Sequence, residues 1–142
     1  MDELWIIHIG GEFMDGFTKK EIDEALRAIA SMINRTEKAK EKFAQGTSQH
    51  TLQKNRLKAL QIASSLLIKG SAESDDVDCY TEDDLKSALA PIASLISKSE
   101  KAREKLAQGT WQHTMLSNNL MALHMASPLL NKALNEISAE KE

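Results

Sequence analysis

The densest chemistry in this chain sits in two short blocks, Gly46-Thr47-Ser48-Gln49-His50-Thr51 and Gly109-Thr110-Trp111-Gln112-His113-Thr114. Each carries two threonine hydroxyls, a carboxamide and an imidazole within a few residues. Each lies where one helical pattern stops and another begins. The first amides of a helix lack partners and its dipole is positive there, so the ligand such an end attracts is an anion. Lys38 and Lys42, and their counterparts Lys101 and Lys105, lie one turn apart on the preceding helix and run toward the same end. Trp111 replaces Ser48 in the second block, and an indole beside phosphate donors can stack on a base. Lys38, Lys42, Gly46, Thr47, Gln49, His50 and Thr51 form one candidate binding set. Lys101, Lys105, Gly109, Thr110, Trp111, Gln112, His113 and Thr114 form the other.

A purely structural reading accounts for part of this. Gly-Thr is a common way to end one helix and cap the next. Gln and His in a first turn can satisfy backbone groups. Glu37, Lys38, Glu41 and Lys42 can form a solvated face with intrahelical ion pairs. What favours ligand binding is that polar residues no core requires recur in both blocks, while neighbouring surface positions differ.

Catalytic and metal chemistry has little support. The chain lacks HExxH, CxxC, a phosphate loop of the GxxxxGK type, and the Glu-x-x-His pairs of a di-iron bundle. His50 and His113 have no nearby carboxylates at ligand spacing, and His124 lies among Met121 and Met125 as a core-edge histidine. Cys79 sits in an acidic stretch, which raises a thiol pKa. No nucleophile or general base can be named. The reading is a non-enzymatic chain with no metal and no cofactor.

The elements that must position these blocks come from an internal duplication. The fifty residues from Thr18 align without a gap on the fifty from Thr81, and about half of the positions are identical. Each copy reads as helix, tight turn, helix. Thr18 with Glu21, and Thr81 with Asp84, have the form of capping boxes, with Phe17 and Tyr80 placed to staple onto Ile22 and Leu85. Ile22, Ala25, Leu26, Ile29, Met32 and Ile33 follow helical spacing. So do Leu85, Ala88, Leu89, Ile92, Leu95 and Ile96. Thr36 and Ser99 mark places for a break, and Pro91 and Pro128 predict kinks.

The fold expected is all-α: a tandem duplicated helical hairpin forming an antiparallel four-helix bundle, with both turns at one end and therefore adjacent. The repeats span 17–69 and 80–132, joined by an acidic linker at 70–79, within one domain at 14–142. Residues 1–13 end in Gly-Glu-Phe before Met14 and read as vector-derived sequence or as a flexible N-terminal arm. The charged residues after about Leu134 suggest fraying. The second copy is more apolar: Gln53, Lys54, Arg56 and Lys58 become Leu116, Ser117, Asn119 and Met121. That drift suits a more deeply buried helix or one that meets a partner.

A net charge of -3 argues against long nucleic acids, whose affinity rests on a basic face. No stretch is apolar enough to span a bilayer. One cysteine suits a reducing compartment.

The blocks EKAxEKxAQGTxQHT, followed by NxLxAL at Asn55–Leu60 and Asn118–Leu123, resemble small helical proteins of phages and prophages in Gram-positive bacteria. In style the chain is similar to compact phage proteins that sequester the nucleotide signals of defence systems such as CBASS and Thoeris. That resemblance implies binding without cleavage, a homo-oligomer, residence in the host cytoplasm, and a ligand of cyclic nucleotide or ADP-ribose type. The alternative is a protein–protein interaction module that uses the Met-rich fourth helix and takes no small ligand.

Overall fold

A computed structural model describes residues 17–71 and 80–141. Four helices follow in chain order: α1 Lys19–Glu41, α2 Ser48–Ser71, α3 Glu82–Glu104 and α4 Trp111–Lys141. No strand occurs among the described residues. The N-terminal arm, Cys79 and most of the acidic linker lie outside them. The first two linker residues, Gly70 and Ser71, belong to α2.

Local chemistry sets the helix starts. Thr18 Oγ1 accepts from the Glu21 amide at 3.0 Å, and the Thr18 amide donates back to Glu21 Oε1 at 2.9 Å. Thr81 and Asp84 repeat the device at 3.1 and 3.2 Å. Two orphan donors are satisfied at each start, which locks the register of α1 and α3. Both helices run unbroken through the positions where a break was expected. At Thr36 the hydroxyl donates to the Met32 carbonyl at 2.7 Å, so the side chain is satisfied without leaving the helix. Pro91 and Pro128 lie inside continuous helices.

The core is formed by Ile22, Ala25, Ile29 and Met32 of α1, Leu60, Ile62, Ala63 and Leu67 of α2, and Leu85, Ala88 and Ile92 of α3. From α4 it takes Leu123, Met125, Ala126, Leu129 and Leu130. Leu134 and Ile137 continue the α4 stripe onto this core. The helix therefore reaches Lys141 instead of fraying at Leu134. Each helix packs on its hairpin partner, α2 packs on α3, α1 on α4, and α2 also touches α4 across the middle.

The relation between the hairpins differs from the side-by-side arrangement expected. Lys58, twelve residues past Gly46, meets Asp84, 25 residues before Gly109. On the opposite seam Arg35, eleven residues before Gly46, reaches Met115, only six past Gly109. At 1.5 Å per residue the first mismatch is about 20 Å, and the second runs in the opposite sense. The two hairpins therefore cross, share a core over their root halves, and send their tips apart. The apolar stripes specify which face is buried, but not the angle at which two such faces meet.

The candidate site: two hairpin tips and the α1–α4 groove

Each tip is a short sequence of turns. α1 ends at Glu41, and the Lys42 amide donates to Ala39 and the Phe43 amide to Lys40, both at 3.1 Å. A second turn follows, closed by the Thr47 amide on the Ala44 carbonyl at 3.2 Å. Gly46, at φ 88°, occupies its third place, and Gly109 matches it at φ 92°. Each glycine thus serves this separate turn, five residues past the last helical residue, rather than the helix end itself. An L side chain at such a φ is strained.

Thr47 has a defined structural task. Its hydroxyl donates to the Ala44 carbonyl at 2.7 Å and accepts from the His50 amide at 3.2 Å, capping α2. Thr110 does the same for α4 with Ala107 at 2.9 Å and His113 at 3.2 Å. Lys38 and Lys101 lie in the last turn of α1 and α3, where cations complement the negative end of the dipole. Lys42 and Lys105 cap those helices. Half of each candidate set thus builds the turn.

The two sets differ in what their side chains face. Lys38, Lys42, Gln49 and Thr51 at the first tip, and Lys101, Lys105 and Gln112 at the second, are exposed, while His50 and His113 are half-buried. None of them lines the groove between α1 and α4 or the space between α2 and α3. Trp111 and Thr114 stand on the wall of that groove, which is about 660 Å³. Met115, Asn118, Asn119, Met121 and Ala122 complete that wall, and Glu24, Ala25, Arg27, Ala28 and Ser31 of α1 form the other. Trp111 is 71% exposed, so its face is open to a ligand. Gln112 and His113 are absent from both walls. The structure keeps two members of the second motif together and adds residues the motif did not contain.

Sequence reasoning missed Arg27 and Asn119. Their signal was the comparison of the copies: Arg27 stands where the second copy has Ala90, and Asn119 where the first has Arg56. Related substitutions accompany the difference between the two seams. Under the repeat, the α2–α3 seam is equivalent to the α1–α4 groove. There Lys58 Nζ reaches Asp84 Oδ1 at 2.7 Å, and the space left is about 30 Å³. In the α1–α4 seam Met121 stands in place of Lys58 and Glu21 in place of Asp84, and the groove is open. The Asp84 carboxyl is held below its usual pKa, first by Lys58 and then by the Thr81 amide.

Among the described residues no cluster of His, Cys, Asp or Glu has the form of a metal site, and no helix is long and apolar enough to cross a membrane. His124 is an exposed residue, its Nε2 3.9 Å from Glu100, not a core-edge one. No family model, curated protein or solved structure matches this chain. The groove itself has the features of a binding site. It offers an aromatic face on one wall, a guanidinium on the other, and amide and hydroxyl groups on both.

Proposed function

We propose that this chain is a non-enzymatic binding protein that sequesters a small anionic, nucleotide-like ligand, of cyclic nucleotide or ADP-ribose type. The site is the α1–α4 groove, with the second tip as its rim. The observation that carries this reading is the shared groove of Trp111, Thr114 and Arg27. The indole supplies a stacking surface, the guanidinium a fixed charge suited to phosphate, and the hydroxyl a further donor. Holding without cleavage is what the resemblance of the repeated motif implies. The phage anti-defence role, the host cytoplasm and a homo-oligomeric form belong to the same reading and rest on the resemblance of the repeated motif.

The competing reading is a protein interaction module, favoured by the exposure of Trp111 and Met121 on α4. Thermal unfolding against cyclic dinucleotides, cyclic trinucleotides, ADP-ribose and its cyclic isomers separates the two. A large shift from one compound, recovered intact by chromatography, supports sequestration. A flat panel, together with a protein captured through the Trp111 face, supports the interaction module instead.

A further inference from the structure

Asn119 is only 6% exposed and lines the α1–α4 groove, yet its side chain makes no hydrogen bond to any described residue. Its amide atoms are not sealed off, since Arg56 Nε is the fully enclosed side-chain atom without a partner among the described residues, so the Asn119 donor and acceptor stay accessible where the residue lines the groove. We infer that Asn119 reads the amino–imine edge of an adenine-type base and that each chain holds one such ligand, not two. This rests on the groove being a nucleotide site and names the base it accepts.

The chemistry follows from the atoms available. The asparagine amide presents one acceptor beside one donor. Its complement is a donor beside an acceptor, which adenine offers through its amino group and N7. Met115, one turn from Asn119, and Trp111, one turn further, offer surfaces to the base plane. Across the groove Arg27 suits the phosphate, and Glu24, one turn before it, suits the ribose hydroxyls as an acceptor. Asn118 flanks Asn119 on the exposed side.

The equivalent seam is unsuited to the same ligand at each of these points. Arg56 stands for Asn119, Ala90 for Arg27 and Ser48 for Trp111. The Lys58–Asp84 bridge also spans the seam and leaves about 30 Å³. Duplication made two seams, and only one has the groups and the room.

Calorimetric titration with AMP and IMP tests this. IMP keeps the purine, ribose and phosphate but presents two acceptors, N7 and a carbonyl, on the edge where adenine has a donor beside N7. The wild type should bind AMP at one per chain, and more tightly than IMP by roughly tenfold or more, the range of a good bidentate contact. Asn119→Leu should lower AMP binding more than IMP binding and so abolish the preference between them. Equal binding of AMP and IMP by the wild type overturns the base assignment while leaving nucleotide binding in place. Discrimination that persists in N119L overturns the role of Asn119. Two AMP per chain overturns the single-site claim. Binding of neither nucleotide overturns this inference, whereas the broader reading stands or falls with the ligand panel. The wild-type ratio needs no variant, so it decides the base assignment even where N119L fails to fold.

Discussion

Met121→Lys writes into the fourth helix the residue that the first repeat already carries at Lys58. Its partner is in place. Glu21 occupies the position of Asp84, and in the capping box it uses Oε1 to accept from Thr18, which leaves Oε2 available. Asp84 shows that one carboxylate can serve both tasks, with Oδ2 on the Thr81 amide and Oδ1 on Lys58. The new lysine is therefore expected to bridge the mouth of the α1–α4 groove and reduce it from about 660 Å³ toward the 30 Å³ of the equivalent seam. The stability change should be small. Met121 is 51% exposed, so little buried apolar area is lost. An exposed ion pair returns about 0.2–1 kcal/mol. Unfolding by urea should thus move by less than about 1 kcal/mol, and a double-mutant cycle with Glu21→Gln should give a coupling within the same range. Binding of AMP, read by calorimetry, should fall at least tenfold. A folded M121K protein that binds AMP like the wild type, with no coupling to Glu21, would refute the equivalence of the two seams.

Other consequences can be checked on the free protein. Gly46→Ala and Gly109→Ala should each cost about 1–2 kcal/mol in urea unfolding through backbone strain alone, because a methyl group at either site meets nothing within 4 Å. Arg56 is 92% buried by area, its Nε has no partner, and burial lowers its pKa. Arg56→Met should therefore raise the midpoint by a few degrees, removing a penalty of about 1–3 kcal/mol while keeping the packed stem; a lower midpoint would mean that the guanidinium is satisfied. Asp84 has a depressed folded pKa, so its contribution is complete above the ordinary carboxylate range and is lost as pH falls through the folded value. Melting temperature against pH, from about pH 6 down to about pH 2, should drop less steeply in Asp84→Asn than in the wild type.

Much of this fold is legible in the residues because each device is local. Thr18 with Glu21 and Thr81 with Asp84 announce the helix starts, Gly46 and Gly109 the turns, and the spacing from Ile22 to Met32 the buried face. The end of α4 was misread because Asn135, Glu136 and Glu140 outweighed Leu134 and Ile137, which still follow the helical stripe. The crossing of the hairpins is not local. It depends on how two finished surfaces interlock, and a single register shift leaves every stripe unchanged. For the same reason the tips were read as neighbours. The groove was half legible. Trp111 and Thr114 stand inside a visible motif, whereas Arg27 and Asn119 lie 92 residues apart and share a groove only through the packing of one hairpin on the other. The exchange of Lys58 for Met121 and of Arg56 for Asn119 was visible as an apolar drift, but its meaning depends on what faces those positions.

The most direct test of the account is a titration of the ¹⁵N-labelled protein with AMP, followed by proton–nitrogen NMR. The account predicts saturable shifts in the Trp111 indole and the Asn119 side-chain amide, small or absent shifts at Gln49 and His50 of the first tip, and AMP recovered unchanged. Shifts confined to the tips would return the site to the helix starts and empty the groove of its role. No shift at saturating AMP would remove the adenine assignment and leave the ligand panel to decide between a different nucleotide and a protein partner.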